Sequence, residues 1–285
     1  MFMEDVDPAV FDASFFSINY ADASSMDPQQ RNLMEVAYEC LEIAGIPIEK
    51  LSGRRVGCLV GANTVDYYDM TCRDPEDRTE SPTMGSNRAL LSNRISHFLN
   101  VHGPSISLDT ACSSTLIALD MACLYLQSGQ VDAMLVGGAN MYLSPERNQD
   151  MGAMRPTASP TGRCHTFDAK ADGYVAAEAI NAVYLKPQAA AILAAYAKAG
   201  ISEAEFSDTG FLECHGTGTG VIPGTATFIT PNPKIDFARC KVKAPKKSVP
   251  WPQHSKRRTS INSFRFGGAN AHAVYPITLS IQLSK

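Results

Sequence analysis

The stretch from Ser105 to Leu126, S-I-S-L-D-T-A-C-S-S-T-L-I-A-L-D-M-A-C-L-Y-L, constrains this chain more than any other. Behind Pro104, Ile106 and Leu108 alternate with polar neighbours, the period of a short strand. Leu116, Leu119, Cys123 and Leu126 then recur at helical spacing. The period changes at Cys112, which puts a thiol at a strand-to-helix turn, where unpaired N–H groups and the helix dipole favour thiolate over thiol. Ala111, Ser113 and Ser114 are small enough for a carbonyl to approach the sulfur and the N–H groups beside it. On these residues alone two readings stand: an activated nucleophile, or the small buried hydrophobe that most cysteines are.

The flanking segments make the turn part of an α/β chain. Asp27-Pro28 predicts a capped helix start, Leu33, Val36, Cys40, Leu41 and Ala44 share one face, and Gly45 stops the helix. Arg55 to Gly61 reads as a fully buried strand of a parallel sheet. Tyr67 to Ser81 is polar and acidic and predicts a surface loop, either bordering a substrate channel or merely connecting. Ser86 to Asn100 predicts a helix in which His97 is structural. Strand Ser105–Asp109, helix Cys112–Gln127 and strand Ala133–Val136 predict one β-α-β unit, with Gly129 after the helix and Gly137-Gly138 after the second strand. Reactive groups in such sheets gather at the carboxyl ends of strands, where Cys112 falls. Arg155 to Tyr174 predicts a loop beside the site, and Glu178 to Leu185 a strand. Pro187 opens a predicted helix that ends at Gly200. Thr209 to Cys214 predicts a further strand, with His215 just past its end, where Cys112 stands in the first half.

Bulk properties exclude several classes. The net charge of -4 argues against a nucleic-acid binder, and the basic stretch from Lys234 to Arg258 carries Pro and Trp and reads as a solvated connection. Eight cysteines without a C-x-x-C pair form neither a disulfide framework nor a zinc ligand set. The acidic start M-F-M-E-D-V-D-P reads as no signal peptide, and no apolar run reaches membrane-spanning length. The expectation is a soluble, cytoplasmic chain.

D-T-A-C-S-S followed by a helix resembles the nucleophile elbow of β-ketoacyl synthase (ketosynthase) domains of polyketide synthases, members of the thiolase-like superfamily. The early F-D-A-S-F-F and M-D-P-Q-Q-R runs are similar to the family's opening segment. G-R-C-H-T-F-D-A-K-A-D-G-Y from Gly162, E-C-H-G-T-G-T from Glu213 and I-N-S-F-R-F-G-G-A-N-A-H from Ile261 resemble later motifs in family order. The M-D-P-Q-Q-R-N-L-M-E-V-A-Y-E-C-L-E segment looks most like fungal-type reducing polyketide synthases.

The resemblance implies an α/β, thiolase-like layered αβαβα fold. Residues 1–186 would form an N-terminal half that is largely present, and residues 187–285 a truncated C-terminal half. It further implies Cys112 as nucleophile, His215 as its imidazole partner, and the N–H groups of Cys112 and Phe266 as oxyanion hole. No cofactor or metal would bind directly. Acyl and malonyl thioesters would arrive on the phosphopantetheine of an acyl carrier protein, and the chain would be a homodimer with Ser105–Asp109 at the interface.

The chain also departs from the family. An opening I-A-I-V-G-like strand is absent, and Lys186 passes straight to Gln188 without the family's strand pair and asparagine loop. His215-Gly216-Thr217-Gly218-Thr219-Gly220 runs directly into Val221, omitting the G-D-P-x-E run and the K-S-N-x-G-H motif that supplies the second catalytic histidine and the lysine. Arg265 replaces a glycine of G-F-G-G, and Ala177-Glu178-Ala179 a G-E-G run. His272, in the N-A-H run, reads as structural support rather than a replacement histidine. The pattern of loss is that of missing exons or an edited gene model. The expected activity is therefore an impaired β-ketoacyl synthase, the alternative a non-catalytic remnant with a dimerising or carrier-binding role.

Overall fold

The structure is a computed structural model that describes residues 3, 6–73, 76, 79–145, 158–187, 221–222, 228–236, 244–250, 258–264 and 270–276. The predicted helix after Pro187, the predicted strand Thr209–Cys214, His215 and Phe266 lie outside the described residues.

Short helix α1 (Tyr20–Ser25) is capped by Asn19, whose side chain accepts from the Asp22 N–H. It leads into α2 (Pro28–Ile43), which begins as expected: the Asp27 carboxylate accepts the Gln29 N–H at 2.8 Å, and Pro28 holds the first helical position. Gly45, at φ +66°, carries the chain out through the left-handed region that only glycine adopts without cost. β1 (Val56–Ala62) is buried along its whole length. Asp66–Arg73 is helix α3 rather than the predicted loop, and Pro82–Ser86 forms a separate turn of helix, α4. The apolar run beyond it is therefore shorter than expected, α5 (Leu90–Phe98), with His97 exposed in its last turn.

β2 (Ser105–Leu108) runs into a 3-10 turn, Ala111–Ser113, and then α6 (Ser114–Gln127). β3 (Ala133–Asn140) continues four residues past the predicted end, taking Gly137 and Gly138 into the strand. β4 (Ala179–Leu185) closes the sheet antiparallel to β3. The order of this four-stranded sheet is β2-β1-β3-β4. β2 and β3 are parallel, as the β-α-β reading requires, but they are not neighbours, because β1 lies between them and pairs with both. The reason is composition. β1 is apolar or glycine throughout and suits the centre, whereas β2 places serines on one face. Ser105 Oγ meets Ser96 Oγ at 2.9 Å and Ser107 Oγ meets Ser92 Oγ at 3.0 Å, so β2 meets α5 through hydroxyls at the sheet's edge.

Alternation along the central strands divides the core between the two faces. Val56, Cys58 and Val60 join Ala133 and Leu135 under Leu33, Leu41, Leu91 and Ile95 of α2 and α5. Leu59, Met134 and Val136 face Ala118 and Ala122 of α6 on the other side. Each large side chain buried there stabilises the fold by about 1.5–3 kcal/mol. Residues 158–174 form the predicted irregular segment, tied across itself by an Ala158–Tyr174 bridge. Two short strands, β5 (Val221–Ile222) and β6 (Val249–Pro250), pair with each other. β7 (Arg258–Phe264) and β8 (Asn270–Pro276) form an antiparallel hairpin in which β7 lies against Ala111–Ser113 and β8 against α6.

Candidate active site

The parallel strands end level: Leu108 stands beside Gly61, and Ala62 beside Ala139. Cys112 lies at this carboxyl edge, exposed, one residue inside the turn that precedes α6. The change from strand to helix expected at Cys112 is present as a 3-10 turn, with the helix proper beginning at Ser114, and the Cys112 thiol is exposed. Cys58, in contrast, is 2% exposed, and burial pushes its thiol up to about 12. Burial also raises the thiols of Cys40 and Cys123.

The turn itself is strained. Ala111 has φ +54°, which costs an L-residue with a Cβ about 1–2 kcal/mol. Side chains hold the backbone in place on every side. Asp109 Oδ1 accepts the Ala111 N–H at 2.7 Å. Ser114 Oγ accepts the Thr110 N–H at 2.8 Å and donates to the Ala111 carbonyl at 2.7 Å. Ser113 Oγ donates to the Thr110 carbonyl at 2.8 Å. Asp109 is anchored in turn by Asn63 Nδ2 at 3.3 Å and by Arg88 Nη1 at 3.2 Å. Partial burial alone would raise the Asp109 carboxyl, but the Ala111 N–H, Asn63 and Arg88 together hold it below the usual carboxylate range.

Beneath the turn, α6 rests directly on the sheet. A Cβ at Gly61 would lie 2.6 Å from the Thr115 nitrogen, and one at Gly138 would lie 2.8 Å from Thr115 Oγ1. These glycines let the first turn of the helix approach the strands, and so fix how far the thiol projects.

Neighbouring strand ends are also tied by carboxylates. Glu178 Oε1 accepts the Tyr142 N–H at 2.8 Å, and Asp66 Oδ2 accepts the Leu143 N–H at 3.2 Å. Asp168, assigned no chemistry from the sequence, is a buried latch. Its Oδ2 accepts the Ile229 and Thr230 N–H groups at 2.5 Å each, and its Oδ1 the Lys170 N–H at 2.9 Å. Donation from Lys170, Thr230 and Ile229 pulls its carboxyl down to about 2. The latch joins residues 158–174 to the segment around Pro231.

Of the expected site residues, the structure describes Cys112; β7, which precedes Phe266 in the chain, lies against Ala111–Ser113. His215 and Phe266 lie outside the described residues. His272 sits in β8 opposite Asn262 of β7, within the hairpin ladder. Sequence reading missed Asn63, Arg88 and the role of Asp109. The Asp-x-Ala spacing of an Asx turn was visible for Asp109; no local signal connects Arg88 to it.

The family model described as "Beta-ketoacyl synthase, N-terminal domain" matches residues 1–191, and "Ketoacyl-synthetase C-terminal extension" matches residues 231–276. The highly reducing polyketide synthase apmlA of Arthrinium phaeospermum is 43% identical over 367 residues, covering 96% of this chain and 15% of that protein. A highly reducing polyketide synthase of Eupenicillium brefeldianum is 44% identical over 365 residues, with the same coverage of 96% and 15%. An alignment of 367 positions that uses 96% of a 285-residue chain leaves roughly ninety positions occupied in the relative alone. Among solved structures, the ketosynthase from module 6 of the bacillaene synthase of Bacillus subtilis 168 has a TM-score of 0.77 at 24% identity. That match covers 94% of this chain and 62% of the solved one, so the shared fold is the thiolase-like fold of ketosynthases. The chain thus spans under a sixth of the length of these polyketide synthases. It belongs to the β-ketoacyl synthase family, and the relatives it resembles at 43–44% identity are polyketide synthases.

Proposed function

We propose that the chain is a ketosynthase-type acyltransferase whose acyl-loading step is retained and whose condensation step is impaired. The Cys112 thiolate attacks the carbonyl of an acyl thioester on the phosphopantetheine of an acyl carrier protein. A carbon–sulfur bond forms, the oxyanion is held by the N–H groups of Cys112 and Phe266, and the phosphopantetheine thiolate leaves and takes up a proton. In condensation, a malonyl thioester would lose CO2, and the enolate carbon would attack the acyl-cysteine to give a β-keto thioester and free the thiolate. His215 would donate to the enolate oxygen. The family's second histidine has no counterpart in this sequence, and losing one such donor costs on the order of a hundred- to a thousandfold in rate. The division into halves at residues 186 and 187, the homodimer across β2, and the absence of a directly bound cofactor belong to this reading.

The observation that supports it best is the placement of Cys112: exposed, at the carboxyl edge of the sheet, on a strained turn held by side chains. A second reading, a non-catalytic remnant with a dimerising or carrier-binding surface, draws on the roughly ninety alignment positions without a residue here. Mass spectrometry after incubation with an acyl thioester separates the two. Acylation confined to Cys112 and lost in Cys112→Ala supports the first reading; none in a folded sample supports the second. Release of radiolabelled CO2 from malonyl carrier protein at the rate of an intact ketosynthase, abolished by His215→Ala, would overturn the claim of impairment.

A further inference from the structure

The elbow carries a device that extends beyond its own motif. Ala111 precedes the thiol at φ +54°, and its N–H is held by Asp109 Oδ1 at 2.7 Å. An Asx turn of this kind constrains the backbone only if the carboxylate is itself fixed. Arg88, just ahead of α5, supplies that fixture. Its Nη1 binds Asp109 Oδ2 at 3.2 Å, and its Nη2 donates to the carbonyl of Ala62, the last residue of β1. One rigid guanidinium thereby spans two neighbouring strand ends, which the single ammonium of lysine cannot do in the same geometry. Asn63 Nδ2 lies within 3.4 Å of both carboxylate oxygens and completes the clamp.

We propose that Arg88, acting through Asp109, is a positioning residue for Cys112: it imposes the left-handed conformation at Ala111 and so sets the thiol at the start of α6. The proposal rests on Cys112 being the reactive thiol of the proposed function, but not on condensation taking place. Asp109 is itself a charged residue three positions before Cys112 in the chain, so removing it would mix charge with geometry. Arg88→Gln paired with Ala111→Gly separates them, because glycine adopts positive φ without cost and needs no clamp.

The test is the rate of Cys112 alkylation by iodoacetamide in the full chain, read by peptide mass spectrometry across pH 6 to 9, with exposed Cys164 as internal reference. Arg88→Gln is expected to slow Cys112 roughly fivefold or more at pH 7, with Cys164 within about twofold of the parent. Ala111→Gly added to Arg88→Gln is expected to restore most of the rate, which loss of a nearby positive charge alone would not allow. A Cys112 rate unchanged in Arg88→Gln, or a slowed rate that Ala111→Gly leaves where it was, would overturn the proposal. If the parent labels Cys112 no faster than Cys164, the reactive-thiol reading fails and the clamp with it; a fast parent and an equally fast Arg88→Gln refute the clamp alone. Should Arg88→Gln unfold, seen as labelling of buried Cys58, Arg88→Lys with and without Ala111→Gly is judged by the same criteria.

Discussion

Gly61→Ala is the substitution whose effect follows most directly from the geometry. The added Cβ would lie 2.6 Å from the Thr115 nitrogen, 2.8 Å from the Ser114 carbonyl carbon and 2.9 Å from Ser114 Cβ. Ordinary contact begins near 3.4 Å, so the first turn of α6 must rise by about 0.8 Å. The opposing atoms are mostly backbone and cannot rotate away. Overpacking of this kind costs about 1–3 kcal/mol. The smaller unfolded-state entropy of alanine offsets up to about 1 kcal/mol, leaving a net loss of roughly 1–2 kcal/mol. Gly138→Ala is the control. Its Cβ would meet Thr115 Oγ1 at 2.8 Å and Asn181 Oδ1 at 3.1 Å, side-chain ends that can turn, so the loss should stay below about 1 kcal/mol. Urea unfolding followed by circular dichroism gives both values. Because α6 carries the elbow, Gly61→Ala should also change the Cys112 alkylation rate, while Gly138→Ala changes it less. If Gly61→Ala proves no less stable than Gly138→Ala, the close seat of α6 on β1 is not what holds the turn.

Three further outcomes are expected. Burial raises the Asp27 carboxyl to about 6, above its unfolded value near 4, so the protonated form is favoured in the fold and stability falls as pH rises from about 4 through 6, by roughly 2–3 kcal/mol. Urea midpoints should decline over that window and stay flatter in Asp27→Asn; an identical decline in the variant would assign the loss to other groups. The Asp168 carboxyl is instead depressed, so its contribution is present above pH 4 and lost as pH falls through about 2. In Asp168→Ala the Ile229 and Thr230 amides should exchange at least about tenfold faster by hydrogen-exchange mass spectrometry, and unchanged exchange would argue against the latch. Iodoacetamide at pH 8 should label exposed Cys112 ahead of half-buried Cys123 and Cys40 and of buried Cys58, and equal labelling of all in a folded sample would contradict the elbow.

Much of the N-terminal half was legible because its signals are local. The cap at Asp27-Pro28, the stop at Gly45 and the uniformly apolar β1 each depend on residues a turn or a strand apart. The change of period at Cys112 likewise located the elbow, since strand and helix spacing cannot both hold across one residue. Tyr67 to Arg73 was misread as loop because its polar, acidic composition is also that of a solvated connection, although Asp66 and Asp69 in the first turn and Arg73 in the last suit the dipole of the short helix α3.

What only the tertiary structure decided is which distant groups meet. β1 inserts between β2 and β3 although it precedes both, because a strand buried on every residue gains most at the centre, while the serines of β2 are satisfied by α5 at the edge. Arg88 finds Asp109 across 21 residues, and Asp168 finds Ile229 across 61. Such pairings leave no periodic trace in the chain. They follow from where the sheet brings strand ends together, and a charged or polar side chain at those ends is held only after the backbone has arrived. The sequence by itself therefore determined the strand-to-helix turn at which Cys112 stands and the family motifs around it. The fold decided how that thiol is held, through a strained turn, a guanidinium clamp and two glycines that let a helix rest on a sheet.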